Sequence, residues 1–394
     1  MTARIVSLIS LILCCFAISG CWDYKELEQQ ALLTGLGYDV GGKGDFMVVA
    51  YLDQQQSSAG DSASQTVKEQ TQVVVARSKH AIESYHLLSL QTPQFKYVSH
   101  LYSMVFSEAL AKSSSFSEVV DRITRVGAVR RRTSLFVTPD HVKDVFAQRL
   151  PGADSTARGL PDLVMQANLL QLVPRIDLNE FVYQSTLPGV DAMLPEIHVV
   201  ESNGHPVLKA AGAAIFHRMK MVGYLAPEDV RSLLWLMGKS GHSFLAFPGF
   251  KKKDVAYFRA SEIHTAIKTS VRGGQPVADV KVQLTGTLAV YQGEHRLDKP
   301  DIKQLEVMAN RVFRQKLIRV VKKTQAMKAD PAGFGVLVRA KVGSAVWRKR
   351  YAHWSEEGYP QMAVHIQIKT HISSSEATTD PISVEQTESG SPQS

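Results

Sequence analysis

The spacing of apolar residues changes several times along the chain, between the every-second pattern of strands and the three-and-four pattern of helices. Near the start, apolar runs at residues 31–40 and 46–52 flank a glycine-rich turn, which predicts a β-hairpin. The polar stretch 53–70 has no apolar periodicity and is expected to form a surface loop. Strands are then predicted at 73–76, 98–106 and 134–137, and helices at 81–88, 108–112, 116–124 and 140–149.

Residues 151–205 contain many Pro, Gly and polar residues around one amphipathic stretch, 162–172. This composition is typical of loops, so the segment is predicted to connect domains rather than to form a core. The next unit is predicted to contain a hairpin of strands 208–216 and 221–225, a helix at 230–237 opened by Pro227, and strands at 255–260, 264–270 and 277–290, the last of them bent or broken.

A long amphipathic helix is predicted at 301–329, where apolar residues follow three-and-four spacing and Lys and Arg occupy the opposite face. Asp330 and Pro331 end it, because proline cannot continue a helix. Residues 362–372 alternate apolar and polar positions, which predicts a half-buried closing strand. The tail 373–394 is rich in Ser, Thr, Glu and Pro and is expected to be disordered.

The first twenty residues have the parts of a cleavable signal peptide. Arg4 precedes an uncharged stretch, 5–20, that is shorter than the ~20 apolar residues of a spanning helix and ends in Ser19 and Gly20. Because Cys21 follows this small pair directly, we expect cleavage before Cys21 and a lipid on its thiol. Two or three acyl chains anchor a protein stably to a membrane. The alternative is an ordinary secretory signal followed by an incidental cysteine.

Composition agrees with an exported globular body. Apolar residues make up 44% of the chain and charged residues 21%, and Cys14 and Cys15 leave with the signal, so no internal disulfide can form. Removing residues 1–20 from the 394 leaves 374, enough for two or three domains. The net charge of +8 favours an anionic lipid surface. The basic runs 130–132 and 251–253 are too short and separate to indicate nucleic-acid binding.

The sequence contains no recognisable catalytic or cofactor signature. Gly35 and Gly37 lack the third glycine and following helix of a dinucleotide site, and Gly238-Lys239-Ser240 lacks the first glycine of a phosphate loop. The thirteen histidines show no metal-binding spacing, and no cofactor is expected. Trp347 and Trp354 fit a core stripe better than an exposed anchor for a partner.

Four residues shortly after the predicted lipid attachment site at Cys21 suit a contact with the membrane edge or with a partner. An indole fits the headgroup layer, and acidic side chains fit the start of a short helix. These residues are Trp22, Asp23, Glu26 and Leu27.

The same N-terminal stretch, Gly20-Cys21-Trp22-Asp23 with Glu26-Leu27 and Thr34-Gly35-Leu36-Gly37, resembles the Ger(x)C spore germination lipoproteins, the C subunits of germinant receptors. The resemblance spans about residues 18–372, and Pro331-Ala332 and the Ser-rich tail depart from the family pattern. It continues through Tyr97, His100, 105–111, Arg130, Arg131, 212–216, 221–225, Glu228, Asp330, 333–335, Trp347 and Trp354.

This resemblance implies an α+β fold of three mixed α/β domains with mostly antiparallel sheets, the C-terminal one built around the long helix. The expected division is a signal peptide at 1–20, an N-terminal domain with connector at 21–200, a middle domain at 201–260, a C-terminal domain at 261–372 and a disordered tail at 373–394.

It also implies a non-enzymatic subunit anchored by lipid on the outer face of the spore inner membrane, assembled with two multi-spanning subunits, A and B. A lipid anchor raises the effective concentration near such partners, so modest contacts suffice. Two other classes stay open from sequence alone. One is a lipoprotein that binds a germinant in a pocket between its domains, and the other is an enzyme acting on peptidoglycan through a carboxylate pair.

Overall fold

The computed structural model describes residues 30–41, 45–54, 70–92, 95–125, 127, 129–293 and 297–375. These residues form one sheet of nine strands and one of four, with helices packed on both. The predicted α+β class with mainly antiparallel pairing is confirmed, whereas the division into three domains stays a prediction. The predicted signal peptide, most of the predicted loop at 53–70 and most of the tail lie outside the described residues.

The first sheet has antiparallel pairs at both ends and a parallel centre. The predicted hairpins at its two ends are confirmed. Its strand order is β3-β2-β1-β5-β6-β7-β8-β9, with β4 beside β1. The strands are β1 Gln30–Val40, β2 Phe46–Gln54, β3 Gln70–Ser78, β4 Phe95–Tyr97, β5 Ser103–Ser107, β6 Ser134–Thr138, β7 Met193–Ser202, β8 His205–His217 and β9 Lys220–Leu225.

Helices cover both faces of this sheet. On one face, Phe116 stacks on Phe216 with ring centroids 5.2 Å apart and meets Phe106 edge-on at 5.1 Å. On the other face, Phe146 packs against Tyr51 at 5.5 Å. The helices are α1 Ala81–Leu87, α2 Glu108–Ala111, α3 Ser115–Arg125, α4 Val142–Ala147, α5 Thr156–Leu169 and α6 Leu178–Thr186, with short 3₁₀ turns at Leu88–Leu90 and Val98–His100.

Gly35 and Gly37 on β1 allow α4 and α5 to approach the sheet closely. A Cβ on Gly37 would lie 2.1 Å from Cγ1 of Val142, and one on Gly35 would lie 2.7 Å from Cβ of Ala157. Side chains cannot approach that closely without backbone shifts. The pair of glycines therefore serves helix–sheet packing.

The prediction that residues 151–205 connect domains without forming a core is wrong. Helices α5 and α6 lie here and bury Leu160 and Phe181. The polar residues that suggest a loop are helix caps: the side chains of Ser155 and Asp177 accept hydrogen bonds from backbone N–H groups of the first turns. Loop-like composition here marks helix starts.

The second sheet has the order β10-β11-β12-β13, with β13 parallel to β12 and the other pairs antiparallel. The segments predicted as strands 255–260 and 264–270 form one strand, because pairing with β12 continues through a bulge near Glu262. Strand β12 is likewise continuous, and β10 and β7 are strands that the pattern did not predict. The strands are β10 Ser243–Pro248, β11 Val255–Arg272, β12 Gln275–Gln292 and β13 Ala363–Ser375.

The predicted long helix is confirmed as α8, Lys299–Ala326. Asp298 and Asp301 form a reciprocal capping box at its start, with both N–H···O distances 2.9 Å. At its centre, the ring of Phe313 meets Trp235 at 5.7 Å and Phe247 at 5.8 Å. Its buried stripe thus joins the second sheet to α7, Pro227–Leu236, the helix predicted to open at Pro227.

Two helices after α8 were not predicted: α9, Phe334–Val342, and α10, Ser344–Arg350, followed by a π-helical turn at Trp354–Gly358. Trp347 and Trp354 are 5% and 3% exposed with ring centroids 5.6 Å apart. Their placement in the core is confirmed, and they lie on two elements, α10 and the π-helical turn.

Candidate functional site

The residues predicted to carry the anchor and its contacts, Cys21, Trp22, Asp23, Glu26 and Leu27, lie outside the described residues. Lipidation and the contacts therefore stay predictions. Strand β1 begins at Gln30, nine positions after Cys21. A chain of that length spans at most about 30 Å, so a lipid on Cys21 would hold the body close to a membrane.

Among the described residues, none of the helices combines the length and apolarity needed to cross a bilayer. Within the same residues, no group of three or more His, Cys, Asp or Glu side chains is placed to hold a metal ion.

The conspicuous polar cluster of the described chain lies where the two sheets meet. We call it the joint and define it by Gly189, Asp191 and His217 on the side of the first sheet and by Asp330, Gly335, Trp354, Ser355 and Glu356 on the side of the second. Four of the residues that carry the family resemblance, Asp330, Gly333, Gly335 and Trp354, lie in it or beside it.

Asp191 binds the second half of the chain through both its backbone and its side chain. Its Oδ2 accepts hydrogen bonds from the backbone N–H of Asp330 at 2.7 Å and from the hydroxyl of Ser355 at 2.6 Å. Its own N–H donates to the carbonyl oxygen of Asp330 at 3.0 Å. One aspartate thus fixes the end of α8 and the π-helical turn to the loop before β7.

Asp330 is a buried carboxyl group with neutral partners. Its Oδ2 accepts from the N–H of Gly335 and from the indole Nε1–H of Trp354, each at 2.8 Å. Its Oδ1 has no hydrogen-bond partner among the described residues. Burial raises the pKa of Asp330 to about 7, and the hydrogen bonds only partly oppose that rise.

His217 bridges two carboxylates across the joint. Its Nδ1 lies 2.8 Å from Oδ1 of Asp191, and its Nε2 lies 3.1 Å from Oε1 of Glu356. The hydrogen bond to Asp191 raises the pKa of His217 more than burial lowers it. Burial alone would raise the pKa of Glu356, but the bond from His217 and the charges of His217 and Arg218 bring it below its usual value. When the ring is protonated, it donates to both carboxylates.

Two glycines make the backbones touch at the joint. Gly189 has φ +94°, and a Cβ on it would lie 2.5 Å from the carbonyl carbon of Gly335. A Cβ on Gly335 would lie 2.5 Å from Nε1 of Trp354. Only glycine fits at either position without opening the contact.

This arrangement is suited to holding two sheets in one orientation and to responding to protons. The Ser355 hydroxyl donates to Asp191, and the His217 ring is held between two carboxylates, so these side chains bind one another across the joint. Sequence reasoning singled out Asp330 and Trp354 only through the resemblance. It missed Asp191 and His217, which are 139 positions from Asp330 and Glu356, respectively.

A separate feature is a half-enclosed cavity of about 250 Å³ in the first sheet. It lies between α1 and α3, with Leu36, Tyr38 and Met104 at its base and Arg122 among its lining residues. Burial raises the pKa of Tyr38, so its hydroxyl stays protonated. The cavity lies over one face of the first sheet, whereas the alternative function considered above places a germinant pocket between domains.

Comparison with known proteins agrees with the resemblance. The family model "Spore germination protein N-terminal domain" matches residues 23–199, and the model "Spore germination B3/ GerAC like, C-terminal" matches residues 211–376. Spore germination protein KC of Bacillus subtilis (strain 168) is 20% identical over 97% of this chain and 98% of its own length. Spore germination protein B3 of the same organism is 24% identical over 86% and 90%.

A solved structure, titled as the crystal structure of the GerBC protein, matches with a TM-score of 0.58 and 18% identity, covering 89% of this chain and 99% of that one. At this identity the match concerns the fold. The two domain matches follow one another along almost the whole chain. The chain therefore belongs to the Ger(x)C family, the C-subunit family of spore germination receptors, and its role lies in spore germination.

Proposed function

We propose that this protein is a non-enzymatic, lipid-anchored subunit of a germinant receptor, attached through Cys21 to the outer face of the spore inner membrane. It assembles there with the multi-spanning A and B subunits and couples germinant recognition to germination. The observation that carries the proposal is the consecutive match of both family domains, together with relatives aligned over nearly their full length.

The joint supports a coupling role. Hydrogen bonds to the carboxylate of Asp191 and close contact between Gly189 and Gly335 tie the two sheets together. A displacement at one sheet would therefore be passed to the other instead of being absorbed by a flexible linker. A subunit that transmits a change between membrane partners needs such stiffness.

Replacement of the proposed lipid acceptor tests the anchor. We expect Cys21→Ala to release the protein from the membrane fraction and to abolish nutrient-triggered germination. Cys15→Ala is the matched control, because it makes the same chemical change within the predicted signal peptide. Membrane retention or normal germination of Cys21→Ala, at wild-type protein levels, would overturn the anchored-subunit proposal.

Purification of tagged protein from solubilised spore inner membranes tests the assembly. Recovery of two multi-spanning subunits with the wild-type chain, and their loss with Cys21→Ala but not with Cys15→Ala, is the expected result. Recovery of the chain alone, under conditions that preserve other membrane complexes, would contradict the proposed partners.

A second candidate function is capture of a small ligand in the cavity between α1 and α3. An apolar cavity of 150 Å³ takes benzene, so about 250 Å³ accommodates a molecule of about ten non-hydrogen atoms. If a germinant binds there, it should raise the melting temperature of the protein. Val119→Phe, which fills the cavity, should remove that response, whereas Val307→Phe on the exposed side of α8 should preserve it.

A further inference from the structure

A group of basic side chains lies between α7 and α8, away from the joint and from the cavity. Helix α8 contributes Lys316, Arg319 and Lys323, which follow one another at helical spacing along one side. Helix α7 contributes Arg231, together with the carboxylates of Glu228 and Asp229. If every cation in this group has a carboxylate partner, the group is explained by its structural role alone.

Asp229 is already saturated by two of the cations. It is 1% exposed, and its Oδ1 accepts from Arg319 Nε at 2.9 Å and lies 2.8 Å from the Nη2 atom of the same side chain. Its Oδ2 is paired with Lys323. For Arg231 and Lys316 the remaining nearby carboxylate on α7 is that of Glu228. Its side chain is exposed and forms no ion pair with either cation in the described structure.

Arg231 and Lys316 are held at an electrostatic cost. The Nε–H of Arg231 is buried and has no hydrogen-bond partner among the described residues. Burial lowers the pKa of both groups, and the negative charge of Glu228 only partly opposes this. The charges of Arg231 and Arg319 lower the pKa of Lys316 further. Both side chains are half-buried, and a purely structural cluster would pair them, because an unpaired charge that is partly removed from water destabilises a fold.

The surroundings also favour an anion. Between residues 299 and 350 the chain has fourteen Lys and Arg and only three Asp and Glu, so this region exceeds the net charge of the whole protein. Lys322 lies on the outer side of α8 beside Arg319 and Lys323, where Ile318 and Ala326 add apolar surface. Positive potential of this kind concentrates anions near the surface.

We propose that Arg231 and Lys316, flanked by Arg319, form a binding site for a phosphate group. The planar guanidinium donates in a fixed fork and the ammonium as a point charge, which together fit the oxygens of a tetrahedral oxyanion. The same chemistry is presented by inorganic phosphate and by the headgroup of an anionic phospholipid. The site is independent of the proposed anchor and partners.

The first test uses the full chain in a neutral detergent, with inorganic phosphate added at constant ionic strength and melting temperature as the readout. Phosphate should raise the melting temperature of the wild type more than chloride does. Arg231→Gln and Lys316→Gln should each weaken the affinity for phosphate, obtained from the melting-temperature shifts, roughly tenfold or more. This is the loss expected when one charge-assisted hydrogen bond is removed. Lys281→Gln, on the exposed face of β12, is the control for loss of one charge.

The melting temperatures of the two variants without phosphate distinguish a binding site from a merely structural group. If the cations repel one another in the free protein, Arg231→Gln and Lys316→Gln should melt at or above the wild-type temperature. If the group only braces α7 against α8, both variants should melt lower and phosphate should have no specific effect, and this outcome overturns the proposal.

The second test distinguishes the two sources of phosphate. The full chain is placed in nanodiscs of phosphatidylcholine with or without phosphatidylglycerol, and hydrogen exchange is followed in residues 227–236 and 312–326. Phosphatidylglycerol-dependent protection that Arg231→Gln removes and Lys281→Gln retains supports a lipid headgroup. Protection from hydrogen exchange by inorganic phosphate but not by phosphatidylglycerol supports a soluble ligand. If neither phosphatidylglycerol nor inorganic phosphate protects these residues, the proposed site is wrong.

Discussion

Two buried aspartates, Asp330 at the joint and Asp229 between α7 and α8, have different partners. Asp330 accepts from a backbone N–H and an indole N–H, whereas Asp229 is paired with Arg319 and Lys323. Neutral donors do not offset the lost hydration of a charge, so the pKa of Asp330 rises to about 7. We therefore expect the stability of the joint to depend on close packing and pH. The stability of the contact between α7 and α8 should depend on charge and salt concentration.

The largest effect should come from geometry at the joint. Gly189→Ala places a Cβ 2.5 Å from the backbone of Gly335 and also forces alanine into φ +94°. Overpacking and left-handed strain together should lower the free energy of unfolding by about 4–5 kcal/mol. Gly204→Ala is the matched control, because φ is +76° there but nothing lies within 4 Å.

Urea unfolding of both variants separates contact from strain. Gly204→Ala should lose about 1–2 kcal/mol, the cost of the backbone conformation alone. Equal losses in the two variants would mean that the close approach of the two sheets contributes nothing to stability, and the joint would then be a poor candidate for transmitting movement.

The second effect is the pH dependence that Asp330 gives the joint. Its pKa is about 7 when folded and 3.8 in the reference state, so the folded chain binds more protons between these values and stability falls as pH rises. The loss between pH 5 and 8 should be about 3 kcal/mol. The raised pKa of His217 acts in the same direction, because its contribution is lost as pH rises through the folded value.

Asp330→Asn should flatten this dependence, since the amide oxygen still accepts from Gly335 and Trp354 but cannot ionise. Burial also raises the pKa of Glu180 and Glu196, whose effects remain in the variant, so the difference between the two curves isolates Asp330. Asp162→Asn, at an exposed position on α5, should leave the curve unchanged. Parallel curves for wild type and Asp330→Asn would show that this carboxyl group does not titrate between pH 5 and 8.

The third effect concerns charge between the helices. Asp229→Asn leaves Arg319 and Lys323 without their carboxylate beside two further cations. Because both cations are about half exposed, the cost should be about 2 kcal/mol, below that of breaking a fully buried pair. It should shrink in high salt, unlike the cost of Gly189→Ala. A salt-independent loss would indicate a packing defect instead.

The two regions also differ in how far sequence predicts them. The stripe of α8 repeats locally, so its helical period and its buried face can be inferred from neighbouring residues. The joint depends on pairs such as Asp191 with Asp330 and His217 with Glu356, which are far apart in the chain and follow no local period. Helix α9 was missed because the residue before its first turn is Gly333, two positions after Pro331, and proline and glycine so close together indicate a turn.

The smallest expected effect tests whether Asp229 needs both of its cations. Lys323 is 45% exposed, and Arg319 still pairs with Asp229 when Lys323 is replaced. Lys323→Gln should therefore cost less than about 1 kcal/mol, since screening by water limits an exposed ion pair and repulsion within the basic group is relieved at the same time. Lys322→Gln, one position away and exposed, gives the cost of removing a charge from α8 without breaking the pair. If urea unfolding showed a loss above 2 kcal/mol for Lys323→Gln alone, Asp229 would depend on Lys323 as its main partner. The difference between the two aspartates, of which Asp330 is bound by neutral donors alone, would then be due to one lysine.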